Sequence, residues 1–187
     1  RRAKNAGFIT TDVDTAQSAR EVEQALAQKG QHVRAVAIDE GSIGKIADVR
    51  ADVIVNLIEW DGHDLPLTDR AMSVLEKTGI PFTGSSRDVV LLANDKRTMK
   101  QKLEDAGLPT PVWQLFTLGN ESIPVGFTYP AIVKLALEHC SVGLSPMAVV
   151  RSEHELRSHV RRQVVEFDQP VIAEEFIAGR EFQVTIL

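Results

Sequence analysis

Apolar positions along this chain recur with two different periods, and the change of period marks its elements. Ala19, Val22 and Leu26 fall three and four residues apart, which predicts a helix over 15–29 that stops at Gly30, the residue type suited to a left-handed C-terminal cap. Residues 32–38 are rich in Val and Ala, and 52–57 (DVIVNL) carry the same signature more strongly; both predict buried central strands. A helical pattern returns over 67–77, with Pro66 near its start and Gly79 after its end, and Ile80-Pro81-Phe82-Thr83-Gly84 predicts a short strand and turn. Strands separated by helices imply a mostly parallel sheet covered on both faces.

The second half has a different rhythm. Residues 95–106 predict a charged amphipathic helix stopped by Gly107, and Leu108-Pro109-Thr110-Pro111 forms an extended connector that cannot continue it. A boundary near Ala93 divides the chain into domains 1–93 and 94–187. Residues 113–116, 131–135, 146–150, 171–175 and 181–187 predict strands, with one helix over 153–165 that opens on the capping-box pattern Ser152-Glu153-His154-Glu155. Many strands with few helices suggest an antiparallel sheet with helices on one face, so the fold class is α/β followed by α+β. Both ends look unfinished: a Rossmann-like unit should open on an apolar strand, yet only Phe8-Ile9 offers such a signal, and the run Phe182-Gln183-Val184-Thr185-Ile186-Leu187 ends without a cap. The expectation is a fragment.

Composition narrows the function classes. The 187 residues, 43% of them hydrophobic, suffice for a substantial core. With 21 basic and 26 acidic side chains the net charge is -5, which argues against a general phosphate-backbone binder and hence against nucleic acid as partner. No apolar run is long enough to cross a bilayer and no signal-peptide pattern is visible, so the expected location is the cytoplasm, away from a membrane. The single cysteine, Cys140, excludes an internal disulfide framework and a multi-cysteine zinc site.

The chemistry is best read from what a nucleoside triphosphate requires: cations and backbone N–H groups for its phosphates, acceptors for its ribose and base. Lys134 ends the apolar run Ala131-Ile132-Val133, so a stiff element delivers a cation to the sheet edge; an exposed strand-end lysine is the ordinary alternative. The segment 138–145 contains Ser141, Gly143 and Ser145, small residues that let amides approach phosphate, as they would in an ordinary turn. Val171-Ile172-Ala173 leads into Glu174-Glu175, and Glu181 follows Gly179 by two residues. One carboxylate suits an adenine amine and another the ribose hydroxyls, against a solvated acidic turn. Order and spacing favour the nucleotide.

Other clusters carry less. Gly41-Ser42-Ile43-Gly44-Lys45-Ile46 superficially resembles a P-loop, but the spacing is short and Ile46 stands where a magnesium-binding hydroxyl is needed, so it is read as a turn before a short helix. Cys140 as a nucleophile would need its pKa lowered by His139, and adjacent residues often point apart. His154 and His159 lack i, i+4 spacing and sit, with Arg161-Arg162, on a charged helix. Asp61, His63 and Asp64 form a candidate substrate-side cluster at the C-terminal edge of an expected strand, where α/β sheets bind ligands, with a solvated loop as the equal alternative.

The succession Thr78-Gly79-Ile80-Pro81-Phe82-Thr83-Gly84-Ser85, Ala93-Asn94-Asp95-Lys96 and Ala106-Gly107-Leu108-Pro109-Thr110-Pro111 resembles the GIPYTGS, DK and AGLPTP elements of the ATP-grasp superfamily, in its D-alanine–D-alanine ligase-like branch. The resemblance runs from about Asp52 to Leu187. It implies a Rossmann-like pre-ATP-grasp domain followed by the small ATP-grasp lobe, with the distal catalytic lobe missing. It further implies that Lys96 and Lys134 contact phosphates, Lys134 being the catalytic lysine. Glu138, Ser141, Val142 and Gly143 correspond to the phosphate-covering loop. Glu174 corresponds to the adenine-contacting carboxylate, Glu175 and Ile177 to hinge positions that use their backbone, and Glu181 to the ribose-binding carboxylate. Glu59, Asp61, His63 and Cys140 fall on the substrate side.

The activity implied is ATP-dependent carboxylate–amine ligation through an acylphosphate, with an amino acid or small peptide as substrate. A nucleotide-binding or regulatory module without ligase chemistry is the alternative. The cofactors implied are ATP and Mg²⁺, with magnesium ligands past Leu187 and none within this chain; the partners are ATP and small carboxylate and amine substrates, with room for a homodimer. Two departures bear on the substrate. Asn56-Leu57-Ile58-Glu59-Trp60-Asp61-Gly62-His63-Asp64 replaces the ligases' histidine-glycine segment, and His139-Cys140 stands where they usually carry glycine and serine.

Overall fold

The computed structural model describes residues 6–59, 64–138, 141–182 and 184, with side chains from Thr15 onward except that of Pro146. Asp61 and His63, from the substrate-side cluster, and His139 and Cys140, from the loop, lie outside the described residues. The chain divides into two compact units, one of residues 1–99 with 137–142, the other of 100–136 with 143–187.

In the first unit, helix α1 covers Ala6–Gln28, so the only opening strand signal, Phe8-Ile9, is helical. Gly30 takes φ +80°, as its cap position requires. Residues 32–38 form no strand, and Val36 is 40% exposed. The DVIVNL segment yields a single parallel bridge, Ile54 with Phe82, closed by Ile54 N–H to the Pro81 carbonyl and Thr83 N–H to the Ile54 carbonyl. Both readings as buried central strands are therefore corrected. A strand buried on both faces needs a ladder on each side, whereas here Ile54 and Ile58 pack inward while Val53, Val55 and Leu57 remain exposed. The core gathers Ile43 and Ile46 from a short 3₁₀ helix, Ile43–Asp48, against Ala71, Met72 and Leu75 of helix α2, Leu65–Lys77. The segment resembling a P-loop is thus a turn into a 3₁₀ helix whose isoleucines are core. Helix α3, Arg87–Asn94, packs against α2.

Helix α4, Lys96–Asp105, is capped by Asp95, whose carboxylate accepts from the N–H groups of Arg97 (2.9 Å) and Thr98 (3.3 Å) and from the Thr98 hydroxyl (2.7 Å). Burial pushes the Asp95 carboxyl up, but the bonds from Thr98 and Arg97 outweigh it and the net shift is down. The Asp-Lys pair read as a phosphate motif is thus also a helix start.

The second unit is built on an antiparallel sheet in the order β1-β4-β2-β3: β1 Trp113–Phe116, β2 Ala131–Leu135, β3 Val149–Val150 and β4 Val171–Glu175. The expected strand over 146–150 is shorter, because a 3₁₀ turn, Pro146–Ala148, precedes it and only Ala131 and Ile132 pair with it. Residues 181, 182 and 184 are not in a strand, and the rest of that predicted strand is outside the described residues.

Helix α5, Glu153–Phe167, packs on β2, β3 and β4 and buries Leu156, Val160 and Phe167. Ser152 Oγ accepts from Glu155 N–H at 3.3 Å, while the Glu155 carboxylate reaches back to Arg151 N–H at 2.7 Å, one residue earlier than a standard capping box. No helix among the described residues is long and apolar enough to cross a membrane.

Leu156 is fully buried, so Leu156→Ala leaves a cavity and is expected to cost about 2–5 kcal/mol. Loss of the cap in Ser152→Ala should cost only about 1 kcal/mol. Urea unfolding followed by circular dichroism checks both, and equal losses would contradict this account of the core.

Candidate functional site

The site starts from strand alternation. On β2, Ala131, Val133 and Leu135 are buried while Ile132 and Lys134 share the other face and are half-buried. Glu174 lies directly opposite Ile132 on β4, so Lys134, two residues on, is its diagonal neighbour on the same face, within reach of a long side chain. Lys134 Nζ donates to Glu174 Oε1. From α4, Lys100 Nζ meets the second oxygen, Oε2, at 2.5 Å and donates to Thr110 Oγ1 at 2.8 Å. One buried carboxylate is thus held between two ammonium groups.

Burial by itself pushes the Glu174 carboxyl up, but hydrogen bonds from Lys100 and Lys134, with the charge of both, outweigh it and hold it below its ordinary value. The two cations differ in exposure: the Lys100 side chain is 7% exposed and that of Lys134 29%. Lys100 was not singled out from sequence. A lysine on a charged helix is ordinarily solvated, and the only local signal is that Lys96 and Lys100 lie one turn apart on one stripe.

The remaining predicted residues fall as follows. In the second unit, Glu175 ends β4 and its N–H donates to the Val112 carbonyl at 2.9 Å; Ile177 and Glu181 are exposed on the segment after it. Gly143 takes φ +71°, and its carbonyl accepts from Gln163 Nε2 of α5 at 2.8 Å. A Cβ there would stand 2.9 Å from Leu135 Cδ1 and 3.3 Å from Phe167 Cζ, so the loop passes too close to β2 and α5 for any side chain. In the first unit, Lys96 Nζ donates to the main-chain oxygen of Glu138, itself buried, and Ser141 takes φ +60° next to the half-buried Val142. Glu59 is exposed and accepts from the Thr15 hydroxyl at 3.0 Å. The structure therefore joins Lys134 with Glu174, and Lys96 with Glu138. Among the described residues no three His, Cys, Asp or Glu side chains stand together as a metal site.

An antiparallel sheet carrying a buried carboxylate between lysines is an arrangement able to hold an anionic ligand that also offers N–H donors. Comparison with known proteins shows what it resembles. Residues 103–187 match the family described as "D-ala D-ala ligase C-terminus". The D-alanine–D-alanine ligase of Pseudomonas entomophila is 30% identical over 169 residues, 89% of this chain and 51% of that protein. The one from Halorhodospira halophila is 37% identical over 114 residues, 61% of this chain and 36% of that protein. Among solved structures, the D-alanine–D-alanine ligase of Bacillus anthracis complexed with ATP superposes with a TM-score of 0.60 at 25% identity, covering 80% of this chain and 48% of the other. By these matches the chain is similar to ATP-grasp proteins. Within that superfamily the likeness is to the D-alanine–D-alanine ligases. It spans about half the length of the Pseudomonas relative.

Two predictions come from this geometry. Gly143→Ala combines a strained backbone with overpacking and is expected to cost about 1–3 kcal/mol, read as a lower urea midpoint. Glu174, held below its ordinary pKa of 4.5, contributes stability that is present above pH 4.5 and is lost as the pH falls through its lowered value. Glu174→Gln should therefore destabilise the protein by about 3 kcal/mol at pH 7, the low end for a broken buried pair because Lys134 is partly solvated. It should also flatten the loss of stability between pH 5 and pH 3; an unchanged acid slope would contradict the assignment.

Proposed function

We propose that this protein is an ATP-dependent carboxylate–amine ligase that works through an acylphosphate, with an amino acid or small peptide among its substrates. The observation that carries the reading is Glu174, buried and ionised between Lys100 and Lys134 within the segment that matches the ligases' C-terminal region. The B. anthracis structure bound to ATP supports nucleotide as the ligand. In this reading Lys134 and Lys96 meet phosphate, and Glu138 with Ser141, Val142 and Gly143 covers it. Glu174 accepts from the adenine amine, Glu175 and Ile177 offer backbone groups, and Glu181 takes the ribose. Glu59, Asp61, His63 and Cys140 face the carboxylate and amine substrates.

The division of labour follows from charge. Lysines placed before the ligand arrives neutralise phosphate oxygens without reorganising, which is how phosphoryl transfer is promoted. Magnesium, when bound with ATP, would supply further charge neutralisation; among the described residues no three acidic or His/Cys side chains stand together to hold it.

The same reading gives residues 1–93 to a Rossmann-like pre-ATP-grasp domain and 94–187 to the small ATP-grasp lobe. Its support in the first part is one parallel crossover, Ile54 through α2 to Phe82. An enzyme that consumes ATP works where ATP is supplied, so the proposed activity belongs in the cytoplasm.

Calorimetric titration of the full-length protein with MgATP is expected to show binding, and ADP release should appear with some pair in a panel of amino acids and small peptides. Lys134→Met is expected to lower that turnover roughly 100- to 1000-fold. Nucleotide binding with no turnover across the panel would favour a regulatory module, and no binding would sink the reading.

A further inference from the structure

The two lysines on Glu174 are not equivalent partners. Lys100 is almost wholly buried and is tied at once to Glu174 Oε2 and Thr110, so nothing arriving from solvent competes easily for it. Lys134 is nearly a third exposed and holds the other oxygen, Oε1. An anion approaching this face meets Lys134 first. We propose that Lys100 is a positioning residue, which holds the Glu174 carboxylate in place on Oε2 while an incoming phosphate draws Lys134 off Oε1. This deepens the reading above and rests on it: Lys134 leaves to bind phosphate, and the vacated Oε1 accepts from an N–H donor on the same ligand.

The argument is one of charge left behind. A buried carboxylate that loses its only cation takes up a proton, and a protonated carboxyl turns one acceptor into a donor. With Lys100 fixed on Oε2, Oε1 remains an acceptor after Lys134 departs, so the ligand replaces both sides of the broken ion pair. The ion pairs recorded for Glu174 among the described residues are those with Lys100 and Lys134. The β1 residues facing β4, Trp113 to Phe116, carry no titratable side chain, and Lys134 is the only one on β2. On α4, Glu104 accepts from the Trp113 indole N–H at 2.7 Å, and Glu175 alternates onto the opposite face of β4.

The test uses the full-length protein with Lys100→Met, the neutral but polar Lys100→Gln, the charge-keeping Lys100→Arg, and Lys134→Met. ATP dissociation constants are measured at pH 6 and pH 8 relative to wild type, and the Glu174 carboxyl is titrated by carbon-13 NMR without nucleotide. Lys100→Met and Lys100→Gln are expected to weaken binding by about tenfold more at pH 6 than at pH 8, as for a carboxyl that in the free variant has become about nine-tenths protonated at pH 6 and stays mostly ionised at pH 8. Lys134→Met should weaken binding by the same factor at both, and Lys100→Arg should restore the wild-type ratio. In the NMR titration the Glu174 midpoint should rise further on loss of Lys100 than on loss of Lys134. Equal weakening at both pH values in the Lys100 variants, or a larger midpoint rise in Lys134→Met, would overturn the proposal. If wild type binds no nucleotide, the functional reading fails by itself and the NMR comparison alone decides the role of Lys100; Lys100→Gln serves if Lys100→Met does not fold.

Discussion

A single carboxylate constrains the second unit of this protein. Glu174 is buried in the middle of an antiparallel sheet, where an unpartnered charge costs several kcal/mol, and it is tolerable only because Lys134 comes from β2 and Lys100 from α4. That requirement ties strand register to helix placement. A slip of β2 by one residue would carry Lys134 to the face where Ala131, Val133 and Leu135 are buried. The register Ile132 opposite Glu174 is therefore specified twice, by apolar alternation and by charge.

The functional reading grows out of the same asymmetry. One face of the sheet is stabilised by apolar burial, with α5 packed on β2, β3 and β4; in the charged cluster on the other face Glu174 and Lys100 are buried and Lys134 keeps access to solvent. Gly143, pressed between Leu135 and Phe167 and held by Gln163, sets its backbone close against the strand from which Lys134 projects. The proposed triphosphate site needs such a combination of rigid cations and close backbone. In the first unit the contribution is a smaller core under α2 and a lysine, Lys96, set at the first turn of a helix by its neighbour Asp95.

Local patterns were readable where one element carries its own signal. The periodic apolar stripe and the Pro66 and Gly79 punctuation marked α2, the Ser152 cap marked α5, and the alternation of 131–135 and the apolar run of 171–175 marked β2 and β4. Where an apolar run needed partners, the reading failed. Residues 32–38 and 52–57 have strand composition, yet only Ile54 finds a bridge, because composition cannot report whether a neighbouring ladder exists. The segment 146–150 similarly became a 3₁₀ turn with a two-residue strand, its pairing limited by the two β2 residues that reach it.

The candidate site divides in the same way. The sequence alone determined that Lys134 would sit at the end of an apolar strand and Glu174 near the end of another, because strand period and residue order are local properties. Only the tertiary structure decided that the two share a face and that Lys100, 74 positions before Glu174 in the chain, completes the group. A lysine on a helix looks alike whether water or a buried carboxylate receives its charge. Which of the two it meets is settled when the helix packs, since burial sets the energy of the charge and long-range contact supplies its partner.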